Sequence, residues 1–343
     1  MLTVSEIGKL KILLNQNKNI VITAHTNPDG DAIGSSVAMY HYLTKLGNTV
    51  NMLVPNKFPE YYSWLLGSEK IIIYENQSKL SQKLLKEADL IFCLDFNALH
   101  RLGALSEIVR NTTATRVLID HHIDPEIENF NFCFSTVETS STGELVYDFI
   151  SIIGDEDLID KNIADGIYTG IVTDTGSYSF SCNRPDTYII TAKLVALGVN
   201  AEKIHKLIYD TFSENRLRLL GFAISNRMIV WEELHTALIY LTKSDLNKYN
   251  YQVGDTEGLV NYPLSMDKVN MSVLMTEKDN KLRLSFRSKG EFSVNDLARA
   301  HFNGGGHRNA AGGKTSETVE ELIDRLKTVM EDNKEKLNYT ISL

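Results

Sequence analysis

Cysteine, basic charge and long apolar runs are all scarce in this chain. Its 343 residues hold three cysteines, Cys93, Cys133 and Cys182, an odd number at wide spacings with no CxxC pair. That excludes a disulfide framework and a zinc site built on thiolates. Lys and Arg number 35 against 44 Asp and Glu, a formal net charge of -9. Wrapping long nucleic acid requires many Lys and Arg to neutralise phosphates, so no long nucleic acid is expected as a partner. A small anion held locally, or through a metal ion, remains open. No apolar run approaches the ~20 residues that span a bilayer. The N-terminal MLTVSEIGKLKILLNQNKN reads as an amphipathic helix with charges throughout, without the apolar stretch of a signal peptide. The expectation is a soluble, cytoplasmic protein with no membrane partner.

What is present is ordinary globular material, 43% hydrophobic and 23% charged, at a length that favours two domains. The first half alternates apolar runs with helical patterns. IVITA (20–24), VNMLVP (50–55), LIFCLDF (90–96) and RVLIDHH (116–122) read as strands. Segments 32–47, 78–88 and 141–154 read as helices, the last with Ser141 or Thr142 as N-cap and Glu144 early in the helix. This alternation predicts βαβ units, a parallel sheet and helices on both faces. A long helical stretch over roughly 187–230 has the look of a connector. Beyond it, strand-rich segments, a hairpin turn at KDNK (278–281) and two helical patterns make a separate, smaller α/β domain. There is no internal repeat and no low-complexity tract.

The acids and histidines fall where strands end. VITAHTNPDGDAIGSS places His25, Asp29 and Asp31 just after the first strand. Asp95 ends LIFCLD, Asp120, His121 and His122 end VLIDHH, and Asp174 follows the helical NIADGIYTGIV. In a doubly wound sheet, ligands bind beyond the carboxyl ends of the strands. Crowded carboxylates raise one another's pKa unless cations neutralise them. Oxygen donors with imidazoles suit Mn²⁺ or a similar ion, and two metals about 3.5–4 Å apart, often bridged by a carboxylate, are the usual arrangement for hydrolysing phosphate esters. Any one of these acids alone is explained as a turn former. Four clusters, each after an apolar run or a helix, are not. An EF-hand is excluded, because Ile33 and Tyr40 stand where oxygen ligands are required.

The second half carries FNGGGHRNAAGG (302–313). It is no Walker A loop, since Arg308 occupies a required glycine, and no dinucleotide fingerprint, since Asn309 occupies a small-residue position. Gly304, Gly305 and Gly306 form a glycine-rich loop whose free amides are suited to cradle an anion, with His307 and Arg308 at its mouth. A plain tight turn explains the same glycines. Arg287 alternates with apolar neighbours in LSFRSKG, which suits a guanidinium aimed into a cleft.

AHTNPDGDAIGS, LDFNALHRLG, LIDHH and GIVTDTG resemble, in order, the four motifs of the DHH phosphoesterase family. FRSKG and GGGHRNAAGG resemble its DHH-associated C-terminal domain. In length and layout the chain is similar to the bifunctional oligoribonuclease and pAp phosphatase members (nanoRNase A type). The resemblance implies a parallel-sheet DHH domain over 1–188, a helical connector over 189–229, a smaller mixed-sheet domain over 230–343, and an active site in the cleft between them. It implies one metal on His25, Asp29 and Asp95, a second on Asp31, Asp95, His121 and Asp174, and Asp95 as the bridge. It implies catalytic roles for Asp95, Asp120 and His122, the last as hydrogen-bond donor or proton carrier at the scissile phosphate. Arg287, His307, Gly304, Gly305, Gly306 and Arg101 are the implied substrate contacts. No metal-ligand position departs from the pattern, and His100 does. The implied cofactors are two divalent ions, Mn²⁺ first, with Co²⁺ or Mg²⁺ as alternatives. The implied substrates are short oligoribonucleotides and 3′-phosphoadenosine 5′-phosphate (pAp), and the expected state is monomer or homodimer. Linear or cyclic dinucleotides such as pApA and c-di-AMP, or nucleotide sensing without catalysis, are the alternatives.

Overall fold

NIVITA, LIFCL and TRVLID lie at the centre of a six-stranded, all-parallel sheet. The computed structural model describes residues 2–278 and 281–338, and the chain divides into two compact units, Met1–Thr211 and Phe212–Leu343. In the first unit the strands are β1 (Asn19–Ala24), β2 (Thr49–Val54), β3 (Ile72–Ile73), β4 (Leu90–Leu94), β5 (Thr115–Asp120) and β6 (Phe132–Ser135), in the order β3-β2-β1-β4-β5-β6. The helices are α1 (Val4–Leu14), α2 (Gly30–Lys45), α3 (Ser78–Glu87), α4 (Ser106–Arg110), α5 (Thr142–Ile153), α6 (Lys161–Asp174), α7 (Pro185–Ala196) and α8 (Ala201–Tyr209).

The sheet is covered on both faces, which is why its central strands read as unbroken apolar runs rather than alternating ones. Ile20, Ile22, Phe92 and Ile119 join one core with residues of α2, α5 and α6. Val21, Ile91, Cys93 and Leu118 turn the other way, into a core with Leu85 of α3 and Val109 of α4. Strand order reverses between β1 and β4, so a crevice is expected beyond their carboxyl ends. The short strands β3 and β6 are additions to the sequence reading. Helix α2 starts two residues earlier than the apolar pattern suggested, because Asp29 caps it. Of the helical stretch 187–230, α7 and α8 contribute Ile190, Leu194, Ile204 and Ile208 to the first unit's core.

The second unit contains α9 (Glu214–Asn226), β7 (Met228–Trp231), β8 (Thr236–Leu241), α10 (Lys243–Lys248), β9 (Met271–Lys278), β10 (Lys281–Ser288), α11 (Val294–His301), β11 (Gly305–His307), β12 (Ala310–Thr315) and α12 (Val319–Asn333). Its sheet, β11-β12-β10-β9-β8-β7, is mixed, with β8 and β9 parallel and the other pairs antiparallel. β9 and β10 pair up to Lys278 and Lys281, and the tip of the expected turn lies outside the described residues. Among the described residues no helix is long and apolar enough to cross a membrane.

Gly8 is exposed in the middle of α1, with open space where a Cβ would stand. Alanine there avoids glycine's backbone entropy cost, about 0.5–1 kcal/mol. Gly8→Ala is expected to raise the first unit's thermal midpoint by about 1–4 °C, checked by calorimetry; an unchanged or lower midpoint contradicts it.

Candidate metal centre

Each strand end delivers its polar residues to one place in the first unit. His25 follows β1, and its Nδ1–H donates to the Thr26 carbonyl at 2.8 Å. That fixes the tautomer and turns Nε2 toward Asp95 Oδ2 at 3.3 Å and Asp29 Oδ1 at 3.9 Å. Asp29 is the N-cap of α2, accepting from the amides of Asp31 and Ala32. Asp31, in the first turn of that helix, is buried. Its Oδ2 accepts from the Thr142 amide at 2.7 Å, and its Oδ1 accepts from the Gly143 amide at 2.7 Å and the Ser35 hydroxyl at 3.1 Å.

Asp95 follows β4 in the left-handed region, with φ of 63°. This conformation is open to Asp and Asn at modest cost, and the Asp95 amide still donates to the Ile119 carbonyl. Its Oδ1 accepts from the Thr142 hydroxyl at 3.0 Å. His121 directs Nε2 at Asp95 Oδ1 (3.5 Å), Asp174 Oδ2 (3.6 Å) and Asp31 Oδ2 (3.8 Å). Asp174 is the last residue of α6. Asp120, fully buried, accepts from His122 twice, from the ring Nδ1 at 2.7 Å and from the amide at 3.1 Å. Arg101 accepts the Thr26 amide through its carbonyl.

The electrostatics of this cluster call for added positive charge. Burial, then the charges of Asp95 and Asp174, push Asp31 well above the usual carboxylate range. Burial opposes ionisation of Asp95 as well, yet hydrogen bonds from His121 and His25 hold it well below that range. Burial disfavours charge on His121, but Asp174, Asp95 and Asp31 raise it to about 10. His25 is raised for the same reason, by Asp95 and Asp29 against burial. His122 goes the other way: burial first, then the charges of Arg101 and His121, hold it well below the usual imidazole value. Carboxylates at this spacing require positive charge beside them.

A divalent cation fits that demand. His25, Asp29 and Asp95 bring one donor atom each within 4.8 Å of one another, and Asp31, Asp95 and His121 do the same. Asp95 belongs to both groups. The donors are carboxylate oxygen and imidazole nitrogen, which suits a hard or borderline divalent ion. Cys93 takes no part, since it faces the opposite core, where burial pushes its thiol up to about 12.

The remaining sequence candidates lie in the second unit. Arg287 is on β10, and its Nη1 donates to the Phe286 carbonyl. Gly305, Gly306 and His307 form the first arm of a tight hairpin, where His307 pairs with Ala310, and Gly304 leads into it. A Cβ on Gly304 would fall on the Gly312 carbonyl, so close backbone approach requires the glycine. The expected cradle of free amides is corrected at two of its three positions: the Gly304 amide donates to the Ala298 carbonyl, and the Gly306 amide to Asn295 Oδ1. Arg308, expected at the loop's mouth, is held by Glu291 through its backbone carbonyl and its carboxylate.

The sequence reading missed Thr142 and Gly143, whose amides and hydroxyl aim Asp31 and Asp95. Their only local sign was SSTGE, which reads as an N-cap signal. Ser141 does cap α5, but Glu144 does not close a capping box; its carboxylate accepts from Ser140 instead.

Residues 19–171 match the family model described as the DHH family, N-terminal domain, and residues 235–332 match the DHHA1 domain. The chain belongs to the DHH family and is a phosphoesterase. Among its relatives is the bifunctional oligoribonuclease and PAP phosphatase NrnA of Bacillus subtilis, 25% identical over 296 residues, which span 85% of this chain and 88% of that one. The protein of the same name from Thermus thermophilus is 28% identical over 300 residues, 85% of this chain and 83% of that one. A crystal structure of an exopolyphosphatase-related protein from Bacteroides fragilis is 40% identical, with a TM-score of 0.91 over 99% of this chain and 100% of that one.

Proposed function

We propose that this chain is a Mn²⁺-dependent hydrolase that cuts di- to pentaribonucleotides to mononucleotides and removes the 3′-phosphate of pAp. The observation that carries the reading is that the three-donor groups His25–Asp29–Asp95 and Asp31–Asp95–His121 share Asp95. In this reading His25, Asp29 and Asp95 hold one ion, and Asp31, Asp95, His121 and Asp174 the other. Two such ions, when bound, would supply a water nucleophile at neutral pH and positive charge at the phosphate. Asp120 fixes the His122 tautomer by accepting its Nδ1–H, so His122 serves as proton carrier at the phosphoester through Nε2. Arg101 adds positive charge beside it. Arg287 and His307 contact substrate phosphate, and Gly304, Gly305 and Gly306 let the backbone fold tightly enough to present His307. The relatives named for oligoribonuclease and PAP phosphatase activity support this substrate class.

The test is a length series of labelled RNA from dinucleotide to long strand, with pAp, pApA, c-di-AMP and polyphosphate alongside, each in Mn²⁺ with and without chelator. The acidic chain lacks the footprint for tracking a strand, so each added nucleotide brings more ordering cost than new contact. Turnover is expected to peak at di- to tetranucleotides and pAp, fall steeply with length, and vanish with chelator. Processive digestion of long RNA at the dinucleotide rate, or a preference for polyphosphate or c-di-AMP, rejects this reading.

Arg287→Ala separates holding from chemistry. A phosphate contact made equally in ground and transition states acts on KM. The loss is expected to be about tenfold or more on nucleotides, the size of one charge-assisted hydrogen bond, and small on bis-p-nitrophenyl phosphate. Equal losses on both substrates assign Arg287 a structural role instead.

A further inference from the structure

Glu144 is completely buried in the first turn of α5, 0% exposed. Its Oε2 accepts three hydrogen bonds: from the Ser140 amide at 3.2 Å, the Ser140 hydroxyl at 2.5 Å and the Thr187 hydroxyl at 2.7 Å. Among the described residues its Oε1 has no hydrogen-bond partner, and it forms an ion pair with Arg184 Nη1 at 3.6 Å. A buried carboxylate with one oxygen unsatisfied is costly to keep. α5 does not require it, because Ser141 already caps the helix by accepting the Glu144 amide.

What Glu144 does fix is the turn in front of the helix. Ser140 is tied from two atoms, and the residues after it make the contacts that matter at the metal centre. The Thr142 and Gly143 amides each reach a different oxygen of Asp31, and the Thr142 hydroxyl reaches Asp95. Asp31 lies 111 residues before Thr142 in the chain, so these contacts bring two distant segments into register. Backbone amides on a carboxylate favour its charged form and leave its remaining lone pairs to point at one place.

We propose that Glu144 is a positioning residue: through Ser140 and Thr187 it locks the Ser140–Gly143 turn, whose donors aim Asp31 and Asp95 at the cations. The inference rests on the metal-centre reading and names the element on which the geometry of two ligands depends. Groups that orient metal ligands typically cost 10–100-fold in affinity when removed.

The test is calorimetric titration of the metal-free, full-length protein with MnCl₂. Glu144→Ala is expected to weaken binding about 10–100-fold, and the gain in thermal midpoint on adding Mn²⁺ is expected to shrink with it. Glu144→Gln keeps an acceptor oxygen for Ser140 and Thr187, so it is expected to bind like wild type. A folded Glu144→Ala protein with wild-type affinity overturns the inference, as does a Gln variant as weak as the Ala variant. If Glu144→Ala does not fold, Thr187→Val carries the test, since it removes one donor from Glu144 and touches no ligand; a severalfold loss supports the inference and wild-type affinity overturns it. Wild-type protein that takes up no Mn²⁺ overturns the metal-centre reading and this one together. A Mn²⁺-binding wild type beside an indifferent Glu144→Ala overturns the positioning role alone.

Discussion

Asp95→Asn is expected to reduce hydrolysis by at least about 10³-fold, the upper range for losing one preorganised charge stabiliser, in a protein that still folds. Asn is the cleaner substitution because φ at this position is 63°, and Asn tolerates the left-handed region that Ala resists. The carboxylate lies between two imidazoles, with His25 Nε2 3.3 Å from one oxygen and His121 Nε2 3.5 Å from the other. Neutralising it removes the donor shared by both three-residue groups. It also relieves Asp31, whose carboxyl is raised first by burial and next by the charge of Asp95. Against that, the Asp95 charge is itself held by hydrogen bonds from His121 and His25, so stability without metal should fall modestly at neutral pH, while activity and Mn²⁺ uptake collapse. Thermal melts of metal-free protein and steady-state assays of a dinucleotide check both halves. Retention of more than a tenth of the activity would sink the assignment of Asp95 as a bridge.

Gly170→Ala is expected to lose about 10²-fold in activity, the scale set by a 1 Å misplacement of a catalytic group. Two effects compete at this site. Alanine in a helix interior is worth about 1 kcal/mol over glycine. Against that, a Cβ on Gly170 would stand 2.5 Å from Asp31 Oδ1 and 3.1 Å from the Gly143 Cα. Asp31 cannot swing aside, because that oxygen is already held by the Gly143 amide and the Ser35 hydroxyl. Overpacking of this kind costs about 1–3 kcal/mol, so the clash wins and the carboxylate or helix α6 must shift. Gly8→Ala, with open space around it, is the matched control in which propensity acts alone. A Gly170→Ala protein that melts higher than wild type and keeps full turnover contradicts the close contact with Asp31.

Much of the centre is legible along the chain. β1, β4 and β5 are short apolar runs, and their burial on both faces makes those runs continuous. Their ends carry His25, Asp95 and Asp120–His122, where a parallel sheet gathers its ligands. Local pattern therefore determined the class of sheet, the rim where these acids and histidines gather and the donor types on it. The absence of clustered cysteine and of basic excess set the chemistry toward oxygen and imidazole donors. The glycines of 304–306 were visible too, but their reason was not: backbone approach to Gly312 and hydrogen bonding to Ala298 and Asn295 use them inside the hairpin.

Direction was left to the tertiary structure. Asp31 and Asp29 are two residues apart, yet one is buried on the amides of α5 and the other caps its own helix, half-exposed. The difference arises because α2 packs against α5 and α6 through glycines, bringing Gly143 and Gly170 onto Asp31 from more than a hundred residues away. Glu144 reads in sequence as an ordinary first-turn acid, and only the position of Ser140 and Thr187 around it turns it into the anchor of the ligand-bearing turn. Periodicity and capping are local, so the sequence by itself determined which residues are available. Which way a carboxylate points, and what holds it there, depends on donors from distant segments, and packing alone decides that.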